Sequence, residues 1–262
     1  MYSQRIVAFI DILGFSNSIR EKTFEEIKAI VDDFTKFMKH ADRNNSSRLA
    51  WAHVSEKLYD KKYISDDTNK DNLSFFSDCV VWSYPTSEIK VKYIHVLLSL
   101  FGMFSVLQQV LYAKRVLIRG GVTIGNIYHS GNVVFGEALV KAVELEKQAD
   151  YPRIVFDSAF LNHLDNRLIP MLRHHAVFNP KGFFSLDLIK QVVFLNRWVV
   201  EEVKKGEDVA VTRDIVLKDL VDSLCTAISL GINSPSQSVR RKYEWMHCKL
   251  TSVENLQVPL TI

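Results

Sequence analysis

The sequence predicts an α+β sandwich, a sheet covered by helices, followed by a helical extension. Strand-like runs alternate with amphipathic helical segments in the order β-α-β-β-α-β-β-α-β, the pattern of that fold class. From residue 188 onward the pattern becomes helical. The chain has 262 residues, 47% of them hydrophobic, which suffices for one sizeable core. We therefore predict one α+β unit over 1–187 and a helical extension over 188–262 packed on the same unit.

The first elements are a strand over 5–13 and a helix over 23–39. Thr23 is the expected N-cap of that helix, and Glu26 follows at the spacing of a capping box. Apolar residues at helical spacing predict the buried face of this helix: Phe24, Ile27, Val31, Phe34 and Met38.

The middle of the chain predicts an insert, a hairpin and a long helix. Residues 42–72 are polar and weakly patterned, which indicates an inserted loop region. A hairpin over 73–84 turns at Ser77 and Asp78, and a helix follows over 88–113.

The remaining elements are strands and helices separated by glycines. A strand pair leads into a helix that begins near Glu137. The turns and bends of this pair are marked by glycines: Gly120, Gly121, Gly125, Gly131 and Gly136. The elements expected after it are a strand over 153–157, a hairpin over 177–187 and several C-terminal helices.

Charge and cysteine content restrict the classes of function. The chain mixes 33 basic with 30 acidic residues, for a net charge of +3, so we expect no nucleic-acid partner. Its 3 cysteines show no CxxC spacing, which fits a reducing cytoplasm. The most apolar helical segment, 96–107, is shorter than the ~20 residues of a membrane span. With no signal-peptide pattern after Met1, we expect a cytoplasmic protein without a membrane partner.

Two aspartates interrupt apolar, β-rich runs: Asp11 in IVAFIDILGFS and Asp78 in LSFFSDCVVWS. Either one alone would suit a helix cap or a turn. Neighbouring strands lie under about 5 Å apart, so the two carboxylates can converge. Converging carboxylates without a basic partner repel unless a divalent cation lies between them, and hard oxygen ligands suit Mg²⁺ or Mn²⁺. Two such cations can support attack at phosphorus and stabilise a leaving pyrophosphate.

The residues after Asp11 favour a phosphate ligand. DILGFS continues into a helix start, where free backbone N–H groups bind phosphate, and Gly14 permits close approach of the backbone. No GxxxxGK[ST] motif occurs in the chain, which argues against a P-loop ATPase.

Three motifs in order resemble the catalytic domain of class III nucleotidyl cyclases. FIDILGFS resembles the family's opening F-x-D-[IL]-x-G-F-[ST], and FFSDCVV resembles the hairpin with its second metal aspartate. LIRGGVTIGNIYHSGNVVFGEALVKAVELE resembles the following strand pair and helix, so the match spans 5–160. RGG-x-x-x-G, FGEALVKAVELEKQADYPRIVFD and VRRKYEWMHCKL further resemble the pyrimidine cyclases of Pycsar antiphage defence.

The resemblance implies a ferredoxin-like core and a set of site residues. It implies two divalent cations, Mn²⁺ or Mg²⁺, held by Asp11, Ile12 and Asp78, with Arg119 as the third catalytic residue contacting phosphate. The residues implied to bind substrate are Phe15, Ser16, Ser74, Val133 and Lys141. The family also implies a homodimer, in which Asp11, Asp78 and Arg119 face Ser74, Val133 and Lys141 of the other subunit.

The departures from purine cyclases concern base reading and charge. Ser74 stands where those enzymes have a purine-reading Lys or Glu, and Val133 stands where they have Asp or Cys. Val140 and Glu144 occupy the places of an Asn and an Arg near the transition state. Lys141 and Arg153 are the candidate replacements for that arginine, and Lys181 in NPKGF is the candidate match for a late phosphate-binding lysine of the family.

These departures predict a pyrimidine cyclase, and the family resemblance implies that it converts UTP to 3′,5′-cyclic UMP and pyrophosphate. The product would be a second messenger in bacterial antiphage defence, read by a separate effector protein. CTP is the alternative substrate, because a serine hydroxyl that donates or accepts could satisfy either pyrimidine. Two other classes stay open: a non-catalytic nucleotide-binding regulatory domain, and a palm-type polymerase or cyclic-dinucleotide synthase.

Overall fold

The computed structural model describes residues 2–41, 72–86, 116–162, 176–178, 184–186, 222 and 224–251. The predictions for residues 42–71, for the helix over 88–113, for Lys181 and for the boundary at 187/188 lie outside these residues. Elements are numbered in chain order over the described part.

An eight-stranded sheet forms the centre of the described structure. Seven strands follow the order β2-β3-β1-β4-β6-β8-β7, and β5 pairs with β4 outside this path. The strands are β1 Ser3–Leu13, β2 Asn72–Phe76, β3 Cys79–Pro85, β4 Leu117–Ser130, β5 Val133–Phe135, β6 Ile154–Phe156, β7 Ala176–Phe178 and β8 Phe184–Leu186.

Helices connect and cover these strands, so the predicted α+β class is confirmed. The helices are α1 Phe15–Glu21, α2 Phe24–Ala41, α3 Glu137–Lys147, α4 Ser158–Leu161, α5 over 224–232 and α6 Gln237–Thr251. Among the described helices, none is both long enough and apolar enough to cross a membrane.

β1 is a central strand and explains the apolar run at the start of the sequence. It pairs antiparallel with β3 on one side and with β4 on the other. Consecutive residues from Ile6 to Ala8 are fully buried, so both faces of the strand are covered. A strand buried on both faces needs a continuous apolar sequence rather than an alternating one.

The capping box predicted for α2 is confirmed, and its predicted buried face is partly wrong. The Thr23 N–H donates to Glu26 Oε2 over 2.9 Å, and the Glu26 N–H donates to Thr23 Oγ1 over 3.3 Å. Phe34 and Met38 are buried as predicted, whereas Phe24 is 74% exposed. Phe24 is the first residue of the helix, where apolar periodicity does not guarantee a covering element.

α3 packs closely on the sheet because β4 has a glycine beneath it. Ala138 and Ala142 join Val7 and Ile127 in one buried cluster on this face. A Cβ atom on Gly121 would lie 2.1 Å from the Ala142 carbonyl oxygen, which explains the second glycine of the RGG motif. The close contact fixes the height of α3 above the strand that carries Arg119.

The C-terminal helices pack at the end of the sheet where β1 finishes and β4 begins. Leu117 belongs to one buried cluster with Ile228 of α5 and Tyr243 of α6, and Leu13 packs against it. The Tyr151 ring stacks on Trp245 of α6, with ring centroids 4.9 Å apart and planes at 10°. These contacts attach α6 to the same end of the sheet as Asp11.

Candidate active site

The structure brings Asp11 and Asp78 together at the ends of neighbouring strands. Asp11 lies opposite Cys79 in the β1–β3 register, and Asp78 occupies the turn just before Cys79. The Ile12 N–H donates to the Asp78 carbonyl oxygen over 3.0 Å, which ties the turn to β1. Ser77, in the same turn, has a left-handed φ of 54°. The two aspartates are therefore neighbours because of the strand register.

Arg119 of β4 lies between Asp11 and a third carboxylate, Glu146 of α3. Arg119 Nε is 3.2 Å from Asp11 Oδ2 and 2.5 Å from Glu146 Oε1. The second contact is a close ion pair without well-aligned hydrogen-bond geometry. Arg119 Nε is thereby shared by two acidic groups, and Glu146, only 3% exposed, is the more buried.

Glu146 was not among the residues predicted from sequence, although its spacing carried a signal. It follows Ala138 and Ala142 at intervals of four residues, which places it on the buried face of α3. A charged residue on the apolar stripe of a helix needs a buried partner, and that partner is Arg119.

The carboxylates of this site resist being ionised together. Burial raises the pKa of Asp11, the charge of Asp78 raises it further, and Arg119 opposes both effects. Burial likewise raises the pKa of Glu146, with Arg119 again opposing. A site that combines crowded carboxylates with partial burial gains free energy when additional positive charge enters it.

The residues present fit a site for divalent cations that substrate and water must complete. Aspartate oxygens are suitable ligands, and Arg119 keeps Glu146 as a partner if Asp11 turns to a cation. Among the described residues, no group of three or more His, Cys, Asp or Glu side chains is arranged to hold a metal ion. Ligation by Asp11, Ile12 and Asp78 therefore stays a prediction.

The helix start after Asp11 has the conformation expected for a phosphate-binding turn. Gly14 has φ 81°, in the left-handed region, and α1 begins at the next residue. The Asn17 and Ser18 N–H groups both donate to the Gly14 carbonyl oxygen over 3.1 Å. The Phe15 and Ser16 N–H groups make no backbone hydrogen bond to another described residue. The Phe15 side chain is buried, so any ligand contact of this residue would come from its backbone.

Ser74 lies inside a chain of hydrogen bonds instead of facing solvent. Arg5 Nε donates to Ser83 Oγ over 2.8 Å, and Ser83 Oγ lies 2.8 Å from His129 Nδ1. His129 Nε2 lies 2.9 Å from Ser74 Oγ, which donates to the Gly131 carbonyl oxygen over 2.8 Å. Arginine can only donate and a carbonyl can only accept, so the chain places the His129 proton on Nε2.

This chain restricts what Ser74 can do. Its hydrogen is committed to Gly131 and one lone pair to His129, and the residue is 1% exposed. Only acceptor capacity remains. The expectation that the Ser74 hydroxyl can either donate to or accept from a base is therefore wrong for this conformation.

The buried histidine should make stability depend on pH. Burial lowers the pKa of His129 from 6.5 to about 4, and the Arg5 charge adds to the effect. Because this pKa is lowered, the stabilisation that neutral His129 gives to the folded state is fully present above pH 6.5. This stabilisation is lost as the pH falls towards 4. We expect the free energy of unfolding to fall by roughly 3 kcal/mol over that interval from this group.

Urea unfolding of the wild type and of His129→Gln at pH 7 and pH 4.5 measures this contribution. Every other titrating group is common to the two proteins, so the difference between their pH slopes belongs to His129. Equal slopes would contradict the assignment.

The other described residues predicted to bind substrate or phosphate make no side-chain hydrogen bond or ion pair with Asp11, Asp78 or Arg119, although the Arg153 carbonyl oxygen accepts from the Gly120 N–H of β4 over 3.1 Å. Val133 of β5 is 56% exposed, and Lys141 of α3 is exposed. Arg153 Nη2 donates to the Gln148 carbonyl oxygen over 3.2 Å, at the C-terminal end of α3. Arg153 thus caps the C-terminal end of a helix. The expected roles of Val133 and Lys141 in a site shared between two subunits stay predictions.

Comparisons with known proteins identify structural likeness only. The sequence matches no family model and no curated protein. The structure is similar to that of a bacterial light-regulated adenylyl cyclase, with 13% identity, a TM-score of 0.46, and coverage of 72% of this chain and 92% of that chain. The structure is also similar to that of the guanylyl cyclase Cya2, with 13% identity and a TM-score of 0.45. This match covers 71% of this chain and 92% of that chain.

A third similar structure is a class III adenylyl cyclase-like ATP-binding protein from Pseudomonas aeruginosa. It shows 12% identity and a TM-score of 0.43, over 72% of this chain and 39% of that chain. Identities and TM-scores this low do not establish a family, so the chemistry of the site has to be argued from its own residues.

Proposed function

We propose that this protein is a pyrimidine nucleotidyl cyclase that converts UTP to 3′,5′-cyclic UMP and pyrophosphate, with CTP as the alternative substrate. The observation that carries the proposal is the meeting of Asp11 and Asp78 at neighbouring strand ends, tied by the Ile12 N–H. Arg119 stands beside them on β4. Burial and the neighbouring Asp78 charge raise the pKa of Asp11, so the site favours the cations that accompany a nucleoside triphosphate.

The reaction needs no covalent enzyme intermediate. The ribose 3′-hydroxyl loses its proton to solvent water, its oxygen bonds to the α-phosphorus, and the bond from the α-phosphorus to the bridging oxygen breaks, releasing pyrophosphate. Bound divalent cations would supply Lewis acidity for the attacking oxygen and charge for the triphosphate. Asp11 and Asp78 would hold them, and Arg119 would place guanidinium charge beside the reacting phosphates.

Two features support a pyrimidine over a purine. Ser74 and Val133 offer no charged group at positions where purine cyclases read the base. The Ser74 hydroxyl is 1% exposed and bonded to His129 and Gly131, so it adds no free hydrogen-bonding group for a base in this conformation. This does not separate UTP from CTP. The preference for UTP, the role in antiphage defence and the separate effector rest on the motif resemblance.

We expect competition between equal concentrations of the four nucleoside triphosphates with Mn²⁺ to yield mainly cyclic UMP. An unpaired base edge costs on the order of 1–3 kcal/mol, so purines should be used roughly ten- to hundredfold less. Chromatographic identification of the products measures this preference.

The products also separate the rival functions. Cyclic CMP as main product reverses only the choice of pyrimidine, whereas cyclic AMP or GMP contradicts the pyrimidine proposal. Linear or dinucleotide products indicate the polymerase-like alternative, and no pyrophosphate release with any substrate indicates a binding domain.

An exposed apolar surface supports the proposed homodimer. Tyr2, Val133, Phe135 and Val140 are each between 47% and 60% exposed. The Phe135 ring contacts both Tyr2 and Tyr128, with centroids 5.6 and 5.1 Å apart. Exposed apolar clusters of this kind on soluble proteins mark interaction sites, and a two-fold dimer would cover the same surface on both subunits.

We expect Phe135→Glu to convert the dimer to a monomer and to abolish activity, because the composite sites would separate. Light scattering at the assay concentration measures the mass. Phe24→Glu is the matched control, since Phe24 is a 74% exposed phenylalanine on α2. A wild-type monomer with full activity would rule the dimer out.

A further inference from the structure

α6 places a lysine near the reactive end of the sheet. Lys242 is half-buried and directly precedes Tyr243, which packs in one cluster with Leu117, two residues before Arg119. Three residues after Lys242, Trp245 stacks on Tyr151, five residues beyond Glu146. These two anchors hold this stretch of α6 beside the strand and the helix that carry Arg119 and Glu146.

Lys242 lacks an acidic partner in the part of the chain that the structure describes. Burial lowers the pKa of its amine, and the Arg119 guanidinium lowers it further. Its charged neighbour is therefore another cation. Arg119 is already paired with Asp11 and Glu146, so Lys242 is the member of this cation pair that an anion would stabilise.

The sequence leaves a role open for such a cation. Glu144 stands where purine cyclases have an arginine near the transition state, and Arg153 is bound to the C-terminal end of α3. Lys141 is exposed on α3. Lys242 lies on α6, close enough to Arg119 for the guanidinium charge to lower the pKa of its amine.

We propose that Lys242 binds the polyphosphate of the substrate, so that the C-terminal extension contributes a cation to the active site of its own chain. The identity of the ligand rests on the proposed cyclase function. Lys242 would contact the phosphates from α6, while Asp11 and Asp78 would hold the accompanying cations. The lysine would neutralise charge on the triphosphate and hold it in place before cyclisation.

Binding of inorganic tripolyphosphate in the presence of Mn²⁺ tests this role separately from the reaction. Calorimetric titration of the full-length protein should show affinity lowered about tenfold or more in Lys242→Gln, the usual effect of losing a charged phosphate contact. Lys242→Arg should retain affinity within about threefold, because it keeps the charge. Lys249→Gln, which removes a lysine lying over Trp245 on the same helix, should bind like the wild type.

Each outcome decides the proposal. Unchanged affinity in Lys242→Gln, an equal loss in Lys249→Gln, or no binding to the wild type overturns it. Should Lys242→Gln fail to fold, Lys242→Met keeps the aliphatic stem and carries the same comparison. If tripolyphosphate binding depends on Lys242 but no cyclic nucleotide forms with any substrate, the cyclase function fails while the polyphosphate site stands.

Discussion

Asp11→Asn and Asp78→Asn are each expected to lower cyclase turnover by at least about a hundredfold, because losing a metal ligand costs several kcal/mol of barrier. The fold should survive the first of these changes. Burial already disfavours the charged form of Asp11, so a neutral side chain of the same shape is tolerated there. Arg119 keeps its ion pair with Glu146 in the variant. Initial rates at saturating Mn²⁺ and thermal unfolding midpoints measure the two effects.

Asp150→Asn is a suitable control for these variants. Asp150 is an exposed aspartate just beyond α3, so its neutralisation changes net charge without touching the site. It should retain the wild-type rate. A variant at Asp11 or Asp78 that keeps more than about a tenth of the wild-type rate would refute their assignment as metal ligands.

Local sequence patterns correctly predicted the elements that depend on residues close together in the chain. The capping box at Thr23 and Glu26 formed as expected because both partners lie within one helical turn. The predicted hairpin around Asp78 formed between β2 and β3. The meeting of Asp11 and Asp78 was predicted from two apolar runs whose ends could converge as neighbouring strands, and the β1–β3 pairing brings them together.

The hydrogen bonds and ion pairs inside the site could not be predicted from local sequence patterns. Arg119 and Asp11 are 108 positions apart, and Ser74 and His129 are 55 apart. Such pairs depend on the register of β1 with β4 and on the way β4 turns into β5, neither of which periodicity determines. The sequence therefore indicated Ser74 as a base reader, whereas its hydroxyl is occupied by a network that only the assembled sheet creates.

Gly121→Ala is expected to destabilise the protein by about 3 kcal/mol or more, a large effect for a single methyl group. The added Cβ would lie 2.1 Å from the Ala142 carbonyl oxygen and 2.8 Å from the Glu146 backbone nitrogen. Both are backbone atoms of α3, so no side-chain rotation relieves the overlap. The helix has to move outward, and it carries Glu146 away from Arg119.

Gly125→Ala is the matched control on the same strand and beneath the same helix. Its Cβ would lie 3.2 Å from the Ala138 side chain and make no shorter contact, so a small shift accommodates it. We expect a loss below about 1 kcal/mol there. Urea unfolding of both variants measures the difference, and equal stabilities would contradict the tight packing of α3 on β4.

A second-site change distinguishes a backbone clash from a side-chain clash. Ala142→Gly removes the Ala142 side chain but leaves the carbonyl oxygen that the new methyl group meets. It should therefore not rescue Gly121→Ala, and it would add its own cost of roughly 1 kcal/mol within the helix. Rescue would instead show that the two residues meet through side chains. Since Arg119 is held by Glu146 of the same helix, a surviving Gly121→Ala protein should also lose activity beyond its loss of stability.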